Sequence, residues 1–295
     1  MSLLSCLSVY VHCCSHPRHW AILFSCLLIQ QRKASCRINT EKQFLMTRGR
    51  IFLILYGDLV DFLPTNHRTR TIHYILDRRA SIKDIIESQG IPHTEIGRID
   101  MEGRQLSFRH IGEDGERIHL HPFTEQTPLR TATVLRHDPL KNIAFMCDST
   151  VSRLARNMRM AGLDTENAPE ISLVDIARQA SSAGRILISR NRDLLKCRTV
   201  NFGQLIRSVH HRLQLREVFA RFRPENLLDP FSRCLVCNST LVVVDKEHII
   251  HFLEPLTQKY YHSFKKCPGC GKIYWHGSHL AKMEKTLHAV LKTLD

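Results

Sequence analysis

Ile143-Ala144-Phe145-Met146-Cys147-Asp148-Ser149-Thr150-Val151-Ser152-Arg153-Leu154-Ala155-Arg156-Asn157-Met158-Arg159-Met160-Ala161-Gly162 is the stretch on which the fold turns. Ile143–Cys147 is an apolar run of strand length that meets Asp148 directly. From about Thr150 to Ala161 the period becomes helical. Val151, Leu154, Ala155, Met158 and Ala161 share one face, Arg153, Arg156 and Arg159 share the other, and Gly162 supplies the stop. A second helix is expected over Leu173–Ala180, a strand over Arg185–Ser189, and a further helix between His210 and Phe222. Strands alternating with helices predict a parallel α/β sheet for residues 143–232.

Ligands of such sheets sit beyond the carboxyl ends of the strands. Asp148 ends one strand. Asn191 and Asp193 follow another, within Ser189-Arg190-Asn191-Arg192-Asp193, and Asp164 and Glu170 lie in the loop after the first helix. Carboxylates converging there without a cationic partner repel one another unless a divalent ion lies between them. Oxygen donors favour Mg²⁺ or Mn²⁺, which would activate water for phosphodiester cleavage. Arg153 and Arg156, with Arg190 and Arg192, would hold phosphates. N-cap aspartates on a solvated helix face would leave the same pattern, so these residues alone keep both readings open.

Upstream, Ile51–Tyr56 and Thr71–Leu76 read as strands. Ser81-Ile82-Lys83-Asp84-Ile85-Ile86-Glu87-Ser88-Gln89-Gly90 reads as a short amphipathic helix with a serine cap and a glycine stop. Short strands follow at Ile96–Ile99, Arg104–Phe108 and Arg117–His121. The pattern is α+β and suits a β-grasp domain over residues 46–123. Thr124–Asn142 is polar, carries two prolines and reads as a linker. The first 45 residues hold five of the eleven cysteines and a short apolar run, Ala21–Ile29, that is too short to span a bilayer. They read as a disordered or non-native extension, with Met46 as the start.

Downstream, Cys234-Leu235-Val236-Cys237 and Cys267-Pro268-Gly269-Cys270 are two tight thiol pairs with 29 residues between the inner cysteines. Two such turns make a closed tetrahedral site for structural zinc, which assigns residues 233–295 to a zinc ribbon with a C-terminal helix. Tyr274 and Trp275 are expected to pack on the ribbon, with base stacking as the other use of the pair. Thiols used for metal indicate a reducing, cytoplasmic setting rather than a disulfide scaffold. The net charge is +14, and outside the first 45 residues nearly all the excess falls in the second half. That asymmetry points to a polyanionic partner.

Residues 145–283 resemble the Mut-seven-C RNase family, a PIN-like nuclease domain with a three-layer α/β fold followed by a zinc ribbon. The stretches that carry the likeness are FMCDSTVSRLARNMRMAGLDT, GRILISRNRDLL, SRCLVCNSTL and CPGCGKIYWHGSHLAKM. LYGDLVDFLP, SIKDIIESQGIPHTEI and GERIHLHPF resemble the ubiquitin-like domain often found before that nuclease. The resemblance implies a Mg²⁺- or Mn²⁺-dependent ribonuclease acting on RNA. Asp148, Asp164 and Glu170 carry over as its acidic residues. The family's Thr-Arg-Asp reads Ser189-Arg190-Asn191 here, so an amide replaces a carboxylate. Asp193, two residues on, is the candidate compensation. The alternative is a non-catalytic RNA-binding adaptor with a degenerate nuclease site. The ubiquitin-like part has no diglycine tail, which leaves it a protein-interaction or RNA-positioning role, and no membrane partner is expected.

Overall fold

The computed structural model describes residues 49–292, so the reading of residues 1–45 as an extension lies outside the described residues. In the first domain, β1 (Arg50–Leu55) pairs antiparallel with β2 (Thr71–Ile75). Helix α1 (Ile82–Ser88) then crosses to β3 (Ile96–Met101), β4 (Arg104–Gln105) and β5 (Arg117–Pro122). The five strands lie in the order β2-β1-β5-β3-β4, with β5 parallel to β1. Alternation along β1 buries Ile51, Leu53 and Leu55. They meet Ile82, Ile85 and Ile86 on α1. The Ser81 hydroxyl caps that helix, accepting from the Asp84 amide and donating to its carboxylate.

The second domain holds four parallel strands, β6 (Phe145–Cys147), β7 (Thr165–Asn167), β8 (Ile186–Ser189) and β9 (Gly203–Leu205), in the order β7-β6-β8-β9. The helices are α2 (Ser152–Met160), α3 (Leu173–Ser182), α4 (Arg192–Lys196) and α5 (His211–Phe222). Sequence periodicity anticipates β6, α2, α3, β8 and α5; it misses β7, β9 and α4, which are too short to show a period. Every residue of β6 and β8 is buried, as expected of a parallel sheet covered on both faces. Phe145 and Cys147 pack with Leu154, Met158, Leu215 and Phe219 from α2 and α5. Met146 and Leu187 face the other way, onto Ile176 and Ala177 of α3 and Leu194 and Leu195 of α4.

That second face also joins the first domain. Ile91, Ile96 and Leu120 belong to the same apolar cluster as Met146, Leu187, Leu195 and Val200. Polar links run along the seam. His93 Nε2 lies 2.6 Å from the Val200 carbonyl oxygen, and Glu95 pairs with Arg221 at 2.5 Å. Arg207 reaches Asp58 at 2.9 Å, with its guanidinium over the Phe62 ring. Residues 124–142 form no helix or strand, but they do more than connect. Arg136 is buried and donates to the carbonyls of Thr94, Ile96 and Asn201 while lying over Phe123 and Phe202.

The third part is a small antiparallel sheet, β10 (Val242–Val244), β11 (Phe264–Lys266) and β12 (Ile273–Trp275). Helix α6 (Pro255–Tyr260) lies in the long β10–β11 connection. Helix α7 (Ser278–Leu291) follows β12 and sends Leu287 and Val290 into the core of the second domain with Phe219 and Phe222. The C-terminal helix therefore packs on the second domain, a tertiary choice invisible in its sequence position.

Candidate active site and nucleic-acid interface

Asp148 leaves β6 at the carboxyl edge of the four-stranded sheet and opens the 3₁₀ turn Ser149–Val151 that leads into α2. Its side chain is buried at 5% exposure. Thr150 Oγ1 donates to Oδ1 at 2.6 Å, and Ser189 Oγ donates to Oδ2 at 2.7 Å. The Asn191 amide donates to Ser189 Oγ at 2.8 Å, and the Arg190 amide donates to Thr150 Oγ1 at 3.1 Å. Two neighbouring strand ends are thus laced together around one carboxylate. Among the described residues Asp148 has no ion pair, and neither has Glu170 or Asp193. The Thr150 and Ser189 hydroxyls were not anticipated; a hydroxyl residue at each of two strand ends is the signal that could have found them.

The other expected acids are distributed unequally. Asp193 is exposed in the first turn of α4, and Asn191 caps that helix. Asn191 Oδ1 accepts from the amides of Asp193 at 2.9 Å and Leu194 at 3.3 Å, so its lone pairs are engaged. Glu170 is exposed in the loop beyond β7, on the same edge as Asp148. Asp164 is not on that edge. It precedes β7, its carbonyl accepts from the Phe145 amide, and Phe145 pairs with Thr165. Asp164 is level with Ala144, four residue steps before Asp148, so it lies roughly 13 Å along the strand direction from Asp148. Its carboxylate accepts from Arg185 at 2.7 Å and Asn238 at 2.8 Å, with Arg233 at 3.4 Å. Burial works to raise its pKa, but those hydrogen bonds and the two guanidinium charges hold it below the usual carboxylate range. The expectation that Asp164 shares an ion with Asp148 is corrected: parallel register puts the start of β7 beside the start of β6.

The arginines also divide. Arg153 and Arg156 are exposed on α2, and Arg190 is exposed at the sheet edge. Arg192 turns to the first domain, lying over the Phe62 ring and donating to its carbonyl at 3.3 Å. Arg159, expected on the solvent face, is 3% exposed. It donates to the carbonyls of Thr165 at 2.6 Å and Val236 at 2.9 Å, and to Asn167 Oδ1 at 3.1 Å. It binds the first cysteine turn to the sheet. Cys147 is fully buried, and burial pushes its thiol well up, which removes it as a nucleophile.

Arg153 and Arg156 line a groove of about 730 Å³ that starts at Ser152 and is completed by His211 and Arg212 of α5, Leu235 and Val236, and Lys282 of α7. Among the described residues no carboxylate lines it. The local field registers on His211, whose pKa is pushed down by burial and then by Arg153 and Arg212. Arg212 and Lys282 were not anticipated, because only folding brings α5 and α7 beside α2.

The four cysteine sulfurs of the ribbon lie within 4.8 Å of one another. Cys234 and Cys270 are 3.5 Å apart, and Cys237 and Cys267 are 3.3 Å apart. Zn–S bonds of about 2.3 Å in a tetrahedron require sulfurs roughly 3.8 Å apart, so the set fits zinc with a small relaxation. Each turn closes on a left-handed residue, Asn238 (φ 67°) or Gly271 (φ 73°), whose amide donates to the first cysteine's carbonyl. Hydrogen bonds from Ser239 and then Cys267 hold the Cys237 thiol down to about 6. Cys270, although a backbone hydrogen bond from Lys272 favours its thiolate, is pushed up to about 12 by the adjoining Cys234 and Cys267 sulfurs. Sulfurs this close ionise together only around a cation. Tyr274 lies against this centre, its hydroxyl 3.2 Å from Cys234 Sγ and accepting from the Leu235 amide.

Two family models match the chain, Mut7-C ubiquitin over residues 49–128 and the Mut7-C RNAse domain over residues 143–287. The chain is a Mut7-C ubiquitin domain followed by a Mut7-C RNAse domain. Searches of curated proteins and of solved structures each found no match. The Mut7-C RNAse domain spans the sheet, the groove and both cysteine turns, and it suggests a nuclease-type function with RNA as substrate. No helix among the described residues is long and apolar enough to cross a membrane.

Proposed function

We propose that the chain is a PIN-like, metal-dependent ribonuclease that holds RNA in the Arg153–Arg156–Arg212–Lys282 groove and hydrolyses it at the adjoining sheet edge. The observation that carries this reading is Asp148: a buried carboxylate with no cationic partner among the described residues, one helical turn from a carboxylate-free basic groove. A buried charge left without a counter-charge is costly, and a bound cation would offset that cost. Asp148, with Asp193 and Glu170 from the same edge, would hold Mg²⁺ or Mn²⁺, hard cations suited to oxygen donors. Such an ion supplies a water of lowered pKa and charge stabilisation at phosphorus. The protein's own part is to fix the Asp148 oxygens through Thr150 and Ser189, and to draw phosphates toward that edge with Arg153 and Arg156. Asp164 and Asn191 contribute no free oxygen, so the donor set is smaller than the resemblance implies and metal affinity should be modest.

The second reading is RNA binding without cleavage. Asn191, a neutral amide already occupied as a helix cap, favours it. A labelled RNA incubated with and without Mn²⁺ separates the two, with Asp148→Asn as control. Mn²⁺-dependent cutting that the variant loses supports the nuclease. Cutting by the variant at the wild-type rate refutes it. Salt-sensitive binding with no turnover at any Mn²⁺ concentration supports the adaptor, and cleavage gained on Asn191→Asp marks a decayed enzyme.

A further inference from the structure

Where the ubiquitin-like and nuclease parts meet, the surface opens into a cleft of about 610 Å³. Helix α1 and the β4–β5 connection supply one wall, residues 134–138 another, and the segment from Lys196 to Asn201 a third. The volume lies within the ~300–1,000 Å³ usual for ligand sites, and a seam between domains is a common place for one. The cleft shares no described residue with the groove of Arg153 and Arg156. It also lies away from Asp148. Strand β8 hands the chain to α4 at the carboxyl edge of the sheet, whereas Lys196 ends α4 and Asn201 comes just before β9 starts at the amino edge.

The charges of the cleft are unequally engaged. Glu87 is taken up by His93, 2.6 Å from Nδ1, and Asp84 accepts from the Ser81 hydroxyl at 2.8 Å. Asp138 is the third carboxylate and is exposed. The cations are not taken up in the same way. Lys83, Arg109, Lys196 and Arg198 make no hydrogen bond or ion pair among the described residues. Arg136, pinned by three carbonyls, adds a buried positive charge that cannot turn away. Five cationic side chains therefore share the cleft with three carboxylates, two of which are already engaged. Burial pushes the Lys83 ammonium below the usual lysine range; Glu87 and Asp84 pull it back, and the Arg198 charge pushes with burial. Lys83 and Arg198, cations of opposite domains, are thus near neighbours. Like charges gathered in a half-buried place repel, and an anion between them offsets that cost.

We propose that this seam cleft binds a small phosphate monoester or inorganic phosphate, held by Lys83 and Arg198 with Arg109 and Lys196. Four free cations match a dianion with three terminal oxygens better than the single charge of a carboxylate, and guanidinium forks and ammonium groups are the usual phosphate donors. Phe108, half-buried and set edge to face with His93 at 5.6 Å, gives a nucleoside a ring contact that inorganic phosphate lacks. The bound group touches the ubiquitin-like part through Lys83 and Arg109 and the nuclease part through Lys196 and Arg198, so it clamps the two together. The site stands whether or not the chain cuts RNA.

Titration calorimetry of the zinc-loaded full chain, without other divalent ions, tests the site with three probes: uridine 5′-monophosphate, inorganic phosphate and uridine. The two phosphates should bind and raise Tm, and uridine should do neither. Tighter binding of the monophosphate than of inorganic phosphate identifies a nucleotide as the ligand, and equal binding identifies free phosphate. Lys83→Met and Arg198→Gln should each weaken phosphate binding about 10-fold, the loss of one charge-assisted contact at a partly exposed site. Lys83→Arg keeps the charge and should retain most of the affinity. Both side chains reach solvent, and an unchanged zinc content with an unchanged Tm in phosphate-free buffer shows that the variants fold. If Lys83→Met and Arg198→Gln bind the monophosphate as wild type does, or if wild type binds neither phosphate, the proposal is overturned. If Arg156→Ala loses the binding instead, the phosphate sits in the RNA groove and the seam site is overturned while the RNA reading stands.

Discussion

Replacing Arg221 by leucine tests whether the ubiquitin-like and nuclease parts form one folding unit. Glu95 rises from the first domain with its side chain 1% exposed, and Arg221 meets it from α5 at 10% exposure. Glu95 Oε2 lies 2.5 Å from Arg221 Nη2, and Oε1 accepts from the Leu205 amide on β9 at 2.7 Å. Arg221→Leu strands a buried carboxylate, a change worth about 3–5 kcal/mol. Two features push toward the lower end. The Leu205 bond remains, and Arg136, pushed down to about 10 by burial and by the Arg221 charge, loses a like-charged neighbour. At roughly 2–4 °C per kcal/mol for a chain of this size, a loss near ~3 kcal/mol lowers Tm by about 6–12 °C. The double variant Glu95→Gln/Arg221→Leu removes the stranded charge and keeps an acceptor for Leu205, so it should recover most of the loss. Calorimetry of the zinc-loaded chain is the assay. Because the domains share an apolar cluster, a single transition should move as a whole. Two transitions, with only one displaced, would refute the shared-core argument; an unchanged Tm would refute the assigned energetics.

Asp164→Asn should lower stability by about 1 kcal/mol, its partners being partly exposed, and leave RNA cleavage per folded molecule unchanged. Because the folded pKa of Asp164 is depressed, its stabilisation is present above the unfolded carboxylate value and is lost as pH falls through the folded pKa; wild-type and variant urea midpoints should converge in acid. Cys267→Ser, or strong chelation, should release zinc and unfold the ribbon, exposing Leu241 and Phe264 to solvent and weakening RNA binding; a chelated chain that keeps its near-ultraviolet spectrum would contradict this. Filling the groove with phosphates should reverse the depression of His211, so its imidazole pKa, followed by NMR, should rise on RNA binding and fall back at high salt.

Much of the scaffold is legible in the chain because it depends on local chemistry. The strand–Asp148–helix run announces a parallel α/β sheet because its hydrophobic period changes from continuous to helical within a few residues. Ser81 and Gly90 bracket α1 because a serine hydroxyl caps the first turn and Gly90, at φ +86°, turns left-handed just past the last one. Gly162 stops α2 at φ +90°, and the same residue meets the Asp229 carbonyl, where a Cβ would lie only 2.2 Å away. The first role is readable from neighbours, the second only from the fold. The sulfur spacing predicts a cage because two residues between thiols leave few other geometries.

The chain by itself therefore determined the domain order, the metal-ready cysteines and Asp148 as the acid ending the first nuclease strand. Tertiary structure alone decided which charges meet. Parallel register carried Asp164 to the far edge and into the hands of Arg185 and Arg233. Burial turned Arg159 inward to the cysteine turn, and the second sheet face drew Arg136 and Arg192 into the domain seam. Helical period says which residues share a face, but not which face meets another element. Charge pairing depends on distances across tens of residues, and those exist only once the sheet has closed.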